Sequence, residues 1–477
     1  MVSERTSWRT STMSLPPSEV PVEDVDSSTN RGKCSDPYVY SAKPGGSSMY
    51  CAVERVLASR SDWIATASTS GSFDLLIAER WAIPYARLGR DGFGGSSCGI
   101  PMVNHARGSK AITVKGLMVR SLRAHCEATE HASIDDFLPQ TYLVTPGEGE
   151  SQSLTSSCER KKLMETSTCE NETETVWICK PTGGAHGVGI AICTGAKEAV
   201  AKVDASLESI SAKKTTDATN DENKKPEKPV RISLRPKAPP AWLVQKYITN
   251  PMLIDGRKFD IRAFALVTHD RKVFWYDDFI IRTCSEQFDM ADTTNKTAHI
   301  SNHCVQTKSE HFGTFEEGNE MFSKDFSRYI LSAESKTNTK TNTNTCGENE
   351  NETETGVDSL HASIVSQMRR AVARTVNCVI DAMGGSEEYD AFQVLGYDFM
   401  PDENGKVWLL EVNGSAAAAE RMTPGIAADV VELAVDRRHP PRMDKQSDSN
   451  HKPNAVRSGR WVELDLEGER AVENGDV

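Results

Sequence analysis

The sequence has no long apolar run. Nowhere do about 18 consecutive apolar residues occur, so no segment reads as a membrane span and no membrane partner is expected. It has no excess of positive charge: 55 Lys+Arg stand against 68 Asp+Glu, a net charge of -13, which argues against a nucleic-acid coat. Twelve cysteines are present, but no two have the two-residue separation of a zinc or redox motif. The first residues, MVSERTSWRTSTMSL, lack an apolar signal core, so the reading is a cytoplasmic protein with reduced thiols. Apolar residues are scarce as well. At 38% they fall below the roughly 45–50% of a typical globular domain, so part of these 477 residues is too polar to pack.

The polar excess is concentrated. Residues 1–47 are rich in Ser, Pro, Thr and charge, and read as a disordered lead. Segments 147–175, 211–240 and 336–356 share that character, as does the tail 437–477. Hydrophobic periodicity returns on both sides of each insert, so they read as surface excursions from one folded body. Between them, Ala52–Ala58, Lys110–Leu122 and Ala196–Leu207 read as helices. Phe73–Leu76, Val176–Cys179, Ile190–Ile192, Leu243–Ile248, Phe259–Val267, Val273–Ile281, Val394–Met400 and Val407–Val412 read as strands. The clearest helix runs over about 359–383, where Leu360, Ile364, Met368, Val372, Val376 and Ile380 recur every four residues before Gly384-Gly385. Hairpins mixed with helices predict an α+β fold, not a parallel nucleotide-binding sheet.

Three clusters carry chemistry. In QVLGYDFMPDENGKVWLLEVN (393–413), Asn404-Gly405 is a strong hairpin signal. A two-residue loop there makes paired positions sum to 809, which sets Asp398 opposite Glu411, with Asn413 on the same face as Glu411. Opposed carboxylates repel unless something neutralises them, and this oxygen-only set suits Mg²⁺. Next, Lys258, Asp260 and Arg262 alternate on one strand face, a stripe suited to ribose and polyphosphate, and Arg282 adds another fork-shaped cation. Last, KPTGGAHGVG (180–189) offers Lys180 and the closely spaced Gly184, Gly187 and Gly189, whose backbone N–H groups can approach a phosphate. Singly, these pieces also read as a solvated hairpin, a salt-bridged strand and a Gly-rich turn. Their company favours a site. Cys304 beside His303 is read as incidental, so no side-chain nucleophile is expected.

Taken together, VWICKPTGGAHGVGIAI, VQKYITNPMLIDGRKFDIRAFALV, HISNHCVQ and FQVLGYDFMPDENGKVWLLEVNG resemble the tubulin tyrosine ligase-like family of the ATP-grasp superfamily. The resemblance extends from about Met49 to Asp436, apart from the inserts. It implies a substrate-binding α/β domain over 48–111, a central ATP-grasp domain over 112–248 and a C-terminal one over 249–436, with ATP held between the last two. It implies that Lys115 and Lys180 contact ATP phosphates. Gln245, Lys246 and Ile248 would line the adenine pocket, and Lys258 and Asp260 would hold nucleotide and ribose with Ser301 and Asn302 nearby. Arg262 and Arg282 would face the γ-phosphate and the carboxylate it activates, and Asp398, Glu411 and Asn413 would bind Mg²⁺. The segments ERWAIPYARLG, FGTFEEGNEMFSKDFSRYI and EVNGSAAAAERM are similar to the branch that adds tyrosine to the C-terminal carboxylate of detyrosinated α-tubulin. The expected partners are therefore the α-tubulin tail and tyrosine, at the cytoskeleton. A polyglutamylase or glycylase of the same family, or a non-catalytic tubulin-sequestering protein, are the alternatives. His186 departs from the family's loop. Arg87, Arg90, Arg107, Lys110, Lys115, Arg120 and Arg123 have few acids beside them in the sequence, and predict a basic groove in which Arg107 and Lys110 meet the acidic tail.

Overall fold

The longest strand, Arg257–Val267, is buried at every residue and has two different faces. Phe259, Ile261, Ala263, Ala265 and Val267 point into one apolar core, whereas Phe264 and Leu266 feed a second. Lys258, Asp260 and Arg262 share the second face, which is therefore polar in its first half. The computed structural model describes residues 36–43, 47–67, 71–90, 93–95, 99–129, 133–146, 156–169, 175–183, 187–216, 241–341, 357–442 and 460–466. Most of residues 1–47, of the tail, and of segments 211–240 and 336–356 lies outside the described residues, as do Gly184 and His186.

Around the long strand an antiparallel sheet forms. Ile280–Gln287 and then Val273–Tyr276 pair along one edge, and Gln393–Pro401 along the other, followed by Val407–Asn413. The single strand expected over 273–281 is thus two, broken at residues 277–279. Helix Val357–Asn377 covers this sheet, with Ile364, Met368, Val372 and Val376 in its core. It ends earlier than its periodicity suggested, and a 3₁₀ turn, Ile380–Ala382, carries the last repeat.

A second, four-stranded antiparallel sheet contains Thr141–Val144, Trp242–Lys246, Val176–Pro181 and Ala191–Thr194. Helix Ser156–Cys169 packs against it, so the predicted excursion 147–175 is in part structured. Leu163 is fully buried, and Glu159 accepts a hydrogen bond from the Leu143 backbone at 2.6 Å, which docks the helix despite its polar sequence.

A further sheet is mostly parallel: Trp63–Ala65, Tyr38–Lys43, Leu75–Ala78, Met102–Val103 and Tyr389–Ala391 lie in that order, with Gly385–Ser386 antiparallel at the edge. Tyr38–Lys43 belongs to the segment expected to be disordered, yet it is an internal strand because Tyr40 and Ser41 are buried there. Trp461–Glu463, in the predicted disordered tail, likewise pairs with Val273–Tyr276 and buries Trp461. Parallel and antiparallel sheets with covering helices fit the expected α+β class. None of the described helices is long and apolar enough to cross a membrane.

Candidate active site

The four-stranded sheet and the sheet around the long strand line a cleft of about 850 Å³, counted to its open mouth. From the four-stranded sheet come Ile178, Lys180, Gln245 and Lys246, and from the long-strand sheet Lys258, Asp260, Asp398, Met400, Leu410 and Glu411. Lys115, at the start of helix Lys115–Ala128, closes one side. Ser301 and Asn302 close another.

The hairpin expectation holds at its chemical centre by an unexpected route. Asp398 does pair with Glu411, and Gly396 with Asn413. The turn, however, is a three-residue loop closed by Asp402 and Lys406, with Gly405 at φ 78°. That shifts the pairing by one, and a bulge beyond Leu409 shifts it back. Leu410 and Glu411 both line the cleft as a result.

Charge is held tightly here. Arg262 donates two hydrogen bonds to Asp398, from Nε to Oδ1 and from Nη2 to Oδ2. Arg282 donates to both oxygens of Asp260, at 2.6 and 2.7 Å, and reaches Asp398 at 3.1 Å. Ser301 donates to Asp260 at 2.6 Å. Burial opposes the charge on Arg282, but Asp260 and Asp398 more than offset it and raise its pKa above the ordinary value. Burial likewise opposes ionised Asp398, and Arg262 and Arg282 reverse that, holding its carboxyl well below the usual range.

The lysines behave in the opposite way. Lys180 donates to Gln245 at 2.9 Å, and Gln245 donates to Thr141 at 2.9 Å. Lys258 donates to the Tyr247 hydroxyl at 2.7 Å, which also meets His299 Nδ1 at 2.7 Å. Burial lowers both lysines to about 8. Two buried lysines hydrogen-bonded to neutral groups gain most from an anion, and polyphosphate is the chemistry that fits. The apolar walls Ile178, Ile190, Met400 and Leu410 suit a flat base.

Asn413 directs its amide to Asp398 at 3.3 Å and Glu411 at 3.4 Å, and Lys115 pairs with Glu411 at 2.7 Å. Two carboxylates and an amide therefore converge, and turning the amide would aim its oxygen inward. No cluster of three or more His, Cys, Asp or Glu exists among the described residues, so an all-protein metal cage is not offered. The oxygen set fits Mg²⁺, which shares carboxylates with phosphate.

Most expected site residues converge here. Lys115, Lys180, Gly187, Gln245, Lys246, Ile248, Lys258, Asp260, Ser301, Asn302, Asp398 and Glu411 all line the cleft. Arg262 and Arg282 stand just behind its wall through Asp398. Gly189 does not line it: at φ 80° it packs on Pro181, which a Cβ would meet at 2.9 Å. Arg107 and Lys110 are exposed and lie away from the cleft lining. The basic groove is also smaller than expected, because Arg90 pairs with Glu388, Lys115 with Glu411 and Arg123 with Glu159. Tyr247 and His299 were missed by sequence reasoning, since nothing in VQKYI or HISN marks a tyrosine and histidine as neighbours of Lys258.

A cleft that gathers two buried lysines and an acidic hairpin backed by Arg262 and Arg282 has the chemistry to hold a polyphosphate. The chain belongs to the Tubulin-tyrosine ligase family, whose profile matches residues 96–447. It is similar to Tubulin glycylase 3C of Tetrahymena thermophila, 25% identical over 288 residues, covering 58% of this chain and 22% of that protein. Protein polyglycylase TTLL10 of Rattus norvegicus is 25% identical over 347 residues, 69% of this chain and 44% of the relative. Probable alpha-tubulin polyglutamylase Ttll1 of T. thermophila is 27% identical over 332 residues, 66% of this chain and 65% of the relative. The chain thus spans less than half the length of the two glycylases. None of the three is named a tyrosine ligase. They support the glycine or glutamate alternative better than the expectation of tyrosine.

Proposed function

We infer that this chain is an ATP- and Mg²⁺-dependent ligase joining glycine or glutamate, rather than tyrosine, to a carboxylate of tubulin. The observation that carries the reading is one cleft lined by Lys180, Lys258, Asp398 and Glu411, with Arg262, Arg282 and Asn413 bonded to Asp398 just behind its wall. A carboxylate is a poor electrophile. Phosphoryl transfer to it makes an acyl phosphate, which the amine of an incoming amino acid then attacks. Lys115, Lys180 and Lys258 would neutralise the phosphates, while Asp260 and Ser301 would orient the ribose. Arg262 and Arg282, fixed in direction by buried acids, would hold the acceptor carboxylate and stabilise the oxyanion that develops on it. Asp398, Glu411 and Asn413 would hold Mg²⁺, which supplies charge neutralisation of the phosphoryl group when bound.

The deciding assay supplies the full chain with purified tubulin, ATP, Mg²⁺ and one labelled amino acid at a time. Incorporation of glycine or glutamate should exceed that of tyrosine by at least about tenfold, the scale of a modest specificity difference. Tyrosine incorporated preferentially would restore the other reading, and no incorporation with any of the three would favour a sequestering protein.

A second expectation concerns protons. With both lysines lowered to about 8, each is largely neutral at pH 9, and triphosphate favours the charged form. ATP binding should therefore take up protons above pH 8 and almost none near pH 6.5. Calorimetric titration in two buffers of different ionisation enthalpy measures this, and equal heats at pH 9 would contradict it.

A further inference from the structure

The row of side chains that begins at Asp260 does not stop at Arg282. Across the next strand, Glu320–Phe322, the residue paired with Arg282 is Glu320. Paired residues share a sheet face, so Asp260, Arg282 and Glu320 lie in line, with strands about 4.8 Å apart. Arg282 spends its donors on Asp260 and Asp398, on the side away from Glu320. Glu320 is half-buried and has no hydrogen bond or ion pair among the described residues. A half-buried carboxylate that its cationic neighbours approach without a hydrogen bond keeps its acceptor oxygens open to an ammonium donor from outside.

The surroundings indicate which cation. Arg421 lies over the Phe322 ring, 2.9 Å from its centroid, and is otherwise exposed. Exposed His303 also bears on Glu320. One such acid beside Arg421 matches a zwitterion: an ammonium for Glu320, and an α-carboxylate for Arg421. Just inward, Arg262 donates to the Ala417 carbonyl at 3.1 Å, which ties the segment preceding Arg421 to the reacting centre.

We propose that Glu320 binds the ammonium group of the incoming amino acid and removes its proton, a role that rests on the ligase reading above. Glu320 accepts one proton, freeing the nitrogen lone pair. The amine attacks the acyl carbon, the C–N bond forms, and the C–O bond to phosphate breaks with its electron pair leaving on phosphate. The nitrogen's second proton goes to the departing phosphate, and Glu320 later releases its proton to solvent. Burial raises the Glu320 carboxyl above its ordinary value, opposed by His303, Arg282 and Arg421, which suits a base. The rate of ligation should accordingly fall as pH drops through that raised value.

Hydroxylamine provides the test, since it is a neutral nucleophile near pH 7 and traps acyl phosphates as hydroxamates without prior deprotonation. Wild-type chain with tubulin, ATP and Mg²⁺ should form tubulin hydroxamate with hydroxylamine, and peptide bonds with glycine or glutamate. Wild type that forms neither defeats the ligase reading itself. Given an active wild type, Glu320→Gln should lose at least about 100-fold in amino-acid ligation, the lower range for a positioned base, while still forming hydroxamate. Glu320→Asp should recover part of the ligation rate. Equal loss of both products in Glu320→Gln, or loss of neither, overturns the assignment. Hydroxamate formation also reports that the variant is folded.

Discussion

Replacing Glu411 by glutamine is expected to lower ligation by about 10²–10³-fold, the range seen when one preorganised charge-stabilising group is removed from an active site. The fold should survive. The Glu411 side chain is 21% exposed, its ion pair with Lys115 is part-exposed, and its contact with Asn413 is long at 3.4 Å. Such a pair contributes about 0–1 kcal/mol, and glutamine fills the same space. The variant nevertheless loses one of the two carboxylates proposed to hold Mg²⁺, and with it the Lys115 ion pair. Steady-state ligation and a thermal melt separate the two consequences. Near-normal ligation would mean the metal is held elsewhere; a melt lowered by many degrees would mean Glu411 is structural.

Glu411 also shows how far the sequence reaches. Its pairing with Asp398 was legible, but through two compensating one-residue shifts. Asp402 closes the turn one residue early by accepting hydrogen bonds from the Asn404 and Lys406 backbones, and the bulge near Leu410 restores the register. Neither event has a period that a sequence displays. The Lys258–Asp260–Arg262 stripe was fully legible, because strict alternation in a long strand leaves no choice of face. What stayed hidden depends on partners distant in sequence. Glu388 and Glu159 consume cations that look unopposed locally. Tyr38–Lys43, YVYSAK, is strand-like in itself but short and set against a polar leader, and neighbours on both sides pair with it. The expected donor, tyrosine, is the part that the relatives do not support, for a related reason. Motifs around phosphate and metal identify the family, while the residues facing the incoming amino acid, Glu320 and Arg421 by our assignment, lie in FGTFEEGNEMFSKDFSRYI and EVNGSAAAAERM, the segments whose similarity suggested tyrosine.

Asp398→Ala is expected to be the most destabilising single change in the site. Asp398 is 2% exposed and receives Arg262 through two hydrogen bonds and Arg282 through a third contact. Without it Arg282 keeps Asp260, but Arg262, 9% exposed, keeps only the Ala417 carbonyl. A buried guanidinium stripped of its counter-ion costs about 3–5 kcal/mol, far beyond the packing lost with one small side chain. Glu411→Gln and Asp398→Ala should thus both lower ligation by about 10²-fold or more, yet only the second should lower the denaturation midpoint strongly. Acid distinguishes charge from packing. The native Asp398 carboxyl lies below its ordinary 3.8, so its stabilisation is complete above about pH 4 and declines as pH falls toward the native value. The stability gap between wild type and Asp398→Ala should therefore be full at pH 7 and narrow steadily below pH 4. A gap that stays constant to the lowest pH at which both chains fold would assign the loss to packing, and Asp398 would then not be the counter-ion that aims Arg262 at the reacting carboxylate.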